Sequence, residues 1–152
     1  MSLIIRNAEA RDQDSLTELM FAYIVGFYKK PKPDTSKIHQ LIQTLLDHQR
    51  GIQFVAEQEG ELVGFATLYF AFSTMRAEEI TIMNDLFLYE PYRNTEVEDQ
   101  LFMHCQHYTQ HEGYAYMSWI TGTDNQRAQQ FFDQKGSVRS EWVNYSFVPP
   151  AP

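Results

Sequence analysis

The segment EEITIMNDLFLYEPYRNTEVEDQL, residues 78–101, constrains the fold more than any other stretch of the chain. Its first half closes in a near-continuous apolar run, the pattern of a strand buried on both faces. Its second half is a tight turn running straight into a helix that opens at Thr95. A buried strand feeding directly into a helix belongs to a sheet with helices packed on it.

The other periodicities agree. LIIRNAE reads as a first strand. Leu16, Leu19, Met20, Tyr23, Ile24 and Phe27 recur at helical spacing after cap candidates Asp12, Asp14 and Ser15. KKPKPDTS interrupts, and a second helix follows on Ile38, Leu41, Ile42, Leu45 and Leu46, stopped by Gly51. IQFVAEQEGELVGFATLYFAF predicts a hairpin turning at Glu59 and Gly60. After the helix from Thr95 to Gly113 come a strand at YAYMSWI, a short helix from Asn125 to Lys135 stopped by Gly136, and a last strand at SVRSEWVNYSFV. The predicted order is β-α-α-β-β-β-α-β-α-β, an α/β (α+β) fold in one domain over residues 1–148 with a proline-rich tail at 149–152.

A chain of 152 residues with 43% hydrophobic and 21% charged residues has enough apolar material for an ordinary core. Its net charge of −8 argues against nucleic acid or an anionic membrane as partner and suits a cationic small molecule. The only cysteine, Cys105, excludes an internal disulfide, and the opening residues lack a signal-peptide pattern, so a cytoplasmic protein is expected. The longest apolar stretch, LVGFATLYFAF, is far short of a membrane span.

The turn at residues 93–98 has its own chemistry. The N-terminus of a helix presents unpaired amides that suit an anion. Here there is no glycine, and Glu96, Glu98 and Asp99 fill the first turn. Thr95-Glu96-Val97-Glu98 is instead a capping box, with Thr95 capping a free amide and Glu98 reaching back.

Taken with its local sequences, the element order resembles the GNAT superfamily of acetyl-CoA-dependent N-acetyltransferases. IIRNAEARDQDSLTELM is similar to that family's opening strand and helix, FVAEQEGELVGFATL to its central hairpin, and NDLFLYEPYR to the strand and turn that lead to the cofactor. WITGTDNQRAQQFFDQKG looks like its late segment, where an Asn and an aromatic precede a helix-ending Gly. The resemblance implies a mixed, mostly antiparallel sheet in which the strand of Asp85 to Leu88 splays from a parallel neighbour at YAYMSWI. It implies that acetyl-CoA lays its pantetheine arm along Leu86, Phe87 and Leu88, with Asn125 and Phe132 on the other side. The pyrophosphate would fall on Arg93, Asn94, Thr95, Glu96, Val97 and Glu98.

This turn departs from the family's pattern of Arg or Gln, two residues, Gly, one residue, Gly or Ala. Only Arg93 matches. Each charge-assisted hydrogen bond is worth about 1.5–3 kcal/mol, so losing one or two and adding an acid predicts cofactor affinity weakened roughly a hundredfold. A second departure is Phe132, which stands where many members place the Tyr that protonates the leaving thiolate; a phenyl ring donates no proton. Tyr145 on the last strand is the replacement candidate. Glu79, with Glu78 beside it, is the candidate base, and Tyr23, Phe27 and Tyr28 are the candidate walls of the acceptor pocket. Tyr23 and Phe27 also continue the apolar stripe of their helix, so core packing competes for both.

His104, His107 and His111 share a helix with Cys105, but no second ligand set accompanies them, so no metal is expected. Trp119 and Trp142 read as core or sheet-face residues. Two functions remain open. One is transfer of an acetyl group to a small, cationic amine by direct attack. The other is a catalytically inactive binding or regulatory module on the same fold, dimeric through its last strands.

Overall fold

The computed structural model describes residues 2–152. The chain divides into two compact units, the first ending at Ile120 and the second running from Thr121 to Pro152.

The first unit holds a five-stranded sheet in the order β1-β2-β3-β4-β5, formed by β1 (Leu3–Asn7), β2 (Gly51–Gln58), β3 (Glu61–Ser73), β4 (Glu78–Leu88) and β5 (Met117–Ser118). The first three pairings are antiparallel and that of β4 with β5 is parallel. The β2–β3 turn lies at Glu59 and Gly60, as the sequence predicts, with φ of 53° and 83°. Gly51 does not stop a helix. It opens β2, where a Cβ would lie 2.4 Å from the Leu68 carbonyl oxygen, so close approach of the strands requires glycine there.

Two helices, α1 (Gln13–Phe21) and α2 (Thr35–Leu45), cover one face of the sheet through Leu16, Leu19, Met20, Ile38 and Ile42 against Val55, Phe65 and Phe87. The helix α3 (Glu96–His111) packs on the other face, burying Val97, Leu101, Phe102 and Cys105. Arg6 fastens β1 to the connection that follows it and to β2, bonding both oxygens of Asp12 at 2.7 and 2.9 Å and Glu57 at 2.9 Å. No helix among the described residues is long and apolar enough to cross a membrane.

The first helix departs from its predicted pattern. Beyond Phe21 it widens into a π-helical segment, Ala22–Phe27, in which the Tyr28 amide donates to the Tyr23 carbonyl at 3.0 Å. Five-residue closure breaks the 3.6-residue stripe, so Tyr23 stays packed on the core while Phe27 and Tyr28 emerge 40% and 44% exposed. Core packing therefore does not account for Phe27.

The second unit holds α4 (Gln126–Gln134), capped by the Asn125 side chain, which accepts from the Ala128 amide at 3.1 Å. The predicted last strand is absent: residues 137–152 form neither strand nor helix, and Trp142 and Tyr145 are 79% and 88% exposed. A strand is held by ladder hydrogen bonds to a neighbour, and strand-like composition alone does not provide one.

Candidate active site

Strand β4 pairs with β5 only at Thr81–Met117 and Ile82–Ser118. It continues for six residues to Leu88 with β3 on one side and no strand on the other among the described residues. At the start of that stretch the β3–β4 register slips, pairing Leu68 with Met83 and Thr67 with Asp85, so that Asn84 is the extra residue of a bulge. A bulge re-aims the side chains beyond it. The next residue, Asp85, is turned under α1 and is only 9% exposed.

Asp85 ends a polar row that crosses three strands. Gln53 on β2 stands opposite Thr67 on β3, and Thr67 stands opposite Asp85 on β4. The Gln53 amide nitrogen donates to the Thr67 hydroxyl at 3.1 Å, and Gln53 and Thr67 are 3% and 0% exposed. The Thr67 and Tyr23 hydroxyls lie beside the Asp85 carboxylate and favour its charge, the Tyr23 hydroxyl also donating to the Asn84 carbonyl at 3.4 Å, and the Asn84 side-chain amide donates to the carboxylate at 3.1 Å. Burial is the dominant influence and pushes the Asp85 pKa up, against those three donors, which pull it down. The phenols nearby respond in kind. Burial and then the Asp85 charge push Tyr69 up to about 12 and raise Tyr23 further still, so both remain protonated donors.

Tyr23, beside this carboxylate, belongs to a cluster of aromatic rings. Tyr23 meets Tyr28 edge-on at 5.0 Å and Phe87 at 5.5 Å, and Phe27 meets Tyr28 at 5.0 Å. The Arg93 guanidinium lies 5.2 Å from the Phe27 ring centre and 5.4 Å from that of Phe87, while its Nε donates to the Leu88 carbonyl at 3.0 Å. A buried base with aromatic faces beside a free strand edge is an arrangement that can hold a cationic amine and take its proton.

The turn into α3 is closed by its own side chains. Thr95 accepts from the Val97 amide at 3.3 Å and donates to the Tyr92 carbonyl at 2.5 Å. Glu98, 2% exposed, accepts from the Asn94 amide at 2.8 Å. Thr95 caps the helix as the sequence predicts, but the reciprocal box does not form: Thr95 takes the Val97 amide rather than that of Glu98, and Glu98 reaches past the Thr95 amide to that of Asn94, whose φ is 57°.

A family model described as the acetyltransferase (GNAT) family matches residues 15–136. The chain belongs to the GNAT family. An uncharacterized N-acetyltransferase of Bacillus subtilis (strain 168), YhfO, is 26% identical over 148 residues, covering 97% of this chain and 98% of its own. Two solved structures share the fold. One is a probable acetyltransferase, at TM-score 0.80 and 23% identity with 100% of each chain covered. The other is an aminoglycoside N-acetyltransferase in complex with CoA, at TM-score 0.80 and 16% identity, covering 97% of this chain and 95% of that one.

Within this GNAT chain, the structure brings Tyr23, Phe27, Tyr28, Phe87 and Arg93 together. Phe87 and Leu88 are buried, Phe87 among the residues under α1 and Leu88 against Gly64, so β4 offers main chain toward the unpaired side. Glu79 is exposed near the start of β4, six residues before Asp85, and its carbonyl accepts from the Ala115 amide. Asn125 and the half-buried Phe132 lie on α4 in the second unit. His104 packs edge-on against Phe54 at 4.6 Å, and among the described residues no three His, Cys, Asp or Glu side chains converge on a metal position.

Asp85 was not among the candidates that residue patterns supplied. Its signal was present, since a lone carboxylate inside an otherwise apolar strand needs partners to remain buried.

Proposed function

We propose that this protein is a cytoplasmic acetyl-CoA-dependent N-acetyltransferase that acts on a small cationic amine by direct attack. The observation that carries this reading is the buried Asp85, held by Thr67, Tyr23 and Asn84 at the place where β4 continues without β5. Membership in the GNAT family supports acetyl transfer, and a CoA-bound relative in fold supports the donor.

The donor fits the chain unevenly. Main chain along β4 between Asn84 and Leu88 has no strand on the side away from β3 among the described residues and can pair with an extended, amide-bearing arm, although Tyr23 and Arg93 already donate to the carbonyls at its two ends. At the turn into α3, two of the amides already have side-chain acceptors, and acidic residues occupy positions where an anion needs donors. Acetyl-CoA supplies an acetyl group activated as a thioester. The residues of this chain prepare the amine. Tyr23, Phe27 and Tyr28 offer ring faces to the incoming ammonium, and Asp85 takes its proton at a carboxylate oxygen, leaving a neutral nucleophile. We assign that role to Asp85 rather than to Glu79, because only Asp85 is desolvated and surrounded by donors. Phe132 and the exposed Tyr145 provide no buried proton donor, so the leaving thiolate departs on the strength of its own low basicity.

The second reading, an inactive binding or regulatory module, is favoured by the closed turn at Glu98. Acetyl-CoA with a panel of polyamines and aminoglycosides separates the two: thiol release above the Asp85→Asn background supports the enzyme, and none with any amine supports the module. We extend the proposal to assembly, as a homodimer through residues 137–148.

A further inference from the structure

We propose that this site selects its acyl donor by the thioester-bearing arm and not by the nucleotide, so that pantetheine thioesters serve as well as CoA thioesters. This rests on the acetyltransferase reading above and concerns the part of the donor that is recognised.

A helix N-terminus attracts phosphate because its first amides are unpaired and its dipole leaves about half a positive charge there. In α3 part of that capacity is already taken from within. The first-turn Val97 amide is given to Thr95 at 3.3 Å, and the Asn94 amide, just before the cap, to Glu98 at 2.8 Å. Because Glu98 is 2% exposed, its carboxylate is a fixed part of the turn and not a tether swinging in solvent. Glu96 and Asp99 add acid to the same turn, and Glu96 is held in place by Gln100 at 2.6 Å.

Arg93 is the single Lys or Arg between Glu90 and Asp99, a stretch that carries four acids. Its guanidinium is engaged by the Leu88 carbonyl and by the faces of Phe27 and Phe87. A diphosphate placed at this turn would exchange its water for like charge at short range, an interaction that opposes binding. The edge of β4 behaves differently: its Asn84 and Leu88 carbonyls accept from Tyr23 and Arg93, and the main chain between them has no strand on the side away from β3 among the described residues. An arm carrying two amides pairs with exposed main chain as a short added strand, and that pairing is indifferent to the group at the arm's far end. Recognition is thereby concentrated in the part common to every pantetheine-bearing donor.

The test is a titration of the full chain, by calorimetry or by NMR where binding is weak, with CoA and with pantetheine. Expected are dissociation constants within about tenfold of each other. Glu98→Gln keeps an acceptor for the Asn94 amide and removes the charge. It is expected to tighten CoA by about fivefold or more, to leave pantetheine unchanged, and to preserve the melting curve. Wild-type CoA affinity more than about tenfold above that of pantetheine overturns the proposal and leaves the acetyltransferase reading intact, as does a Glu98→Gln variant whose CoA affinity is unaltered. Failure of both ligands to bind at millimolar concentration overturns the donor assignment itself, and this proposal with it.

Discussion

At the residue scale, Asp85 is pulled in two directions. Burial disfavours its charge, and hydrogen bonds from Thr67, Tyr23 and Asn84 favour it, with burial the larger influence. A carboxyl whose pKa is higher folded than unfolded holds a proton that the unfolded chain would release. Its contribution to stability is therefore greatest below the ordinary carboxylate value near ~4 and declines as pH rises through the folded value. Asp85→Asn removes that cost, and a melt at pH 7 is expected to show a midpoint unchanged or a few degrees higher, while kcat/KM falls by about 10²–10⁴. A variant that melts lower and acetylates normally would contradict both the electrostatics and the assigned role. Asp12 has the opposite sign. Its hydrogen bonds to Arg6 lower its pKa, so its stabilisation is present above the ordinary value and is lost as pH falls through the folded one. Asp12→Asn is expected to lower the midpoint by several degrees at pH 7 and by progressively less as pH falls below the ordinary carboxylate value, which a series of melts across that range checks.

At the element scale, three strands and one irregular helix build the site together. Gln53, Thr67 and Asp85 are cross-strand neighbours, so Thr67 accepts from Gln53 and its single proton is left for the carboxylate. Thr67→Val keeps the shape, removes both hydrogen bonds and strands the Gln53 amide. It is expected to cost about 1–3 kcal/mol in urea unfolding and to move the acidic limb of the pH–rate profile upward. Thr67→Ser restores both, and equal profiles for Val and Ser would show that the row does not act on Asp85. Much of this frame was legible in the sequence. Strand β4, the Glu59–Gly60 turn, the Thr95 cap and the Gly113 and Gly136 stops are all dictated by local chemistry. The bulge at Asn84 and the π-helical turn at Ala22–Phe27 are not, because each is an extra residue accommodated by packing against a neighbouring element. Those two irregularities deliver Asp85 and Phe27 to the site. That is why NDLFLY read as plain buried strand and Phe27 as core.

At the scale of the whole molecule, the unsatisfied part is the C-terminal segment. Val138, Trp142, Val143, Tyr145, Phe147 and Val148 are 73–93% exposed, more large apolar surface than scattered single residues account for. The sequence WVNYSFV is rich in aromatic and β-branched residues and alternates at Val143, Tyr145 and Phe147, the pattern of a strand with one apolar face. It forms no strand because ladder bonds need a second backbone, and a second copy of this chain carries the same segment with the same deficit. Two such segments pairing antiparallel about a twofold axis would give each backbone a ladder partner and set the two apolar faces side by side as one patch. Tyr145→Glu combined with Phe147→Glu places like charges across that seam. Light scattering through a concentration series is expected to move from dimer to monomer, with the dissociation constant raised at least about a hundredfold. The melting midpoint of the monomeric variant should lie within a few degrees of the parent at low concentration, because the core under α1, α2 and α3 contains none of these residues. A parent chain that scatters as a monomer at high micromolar concentration would mean that the segment finds its cover elsewhere.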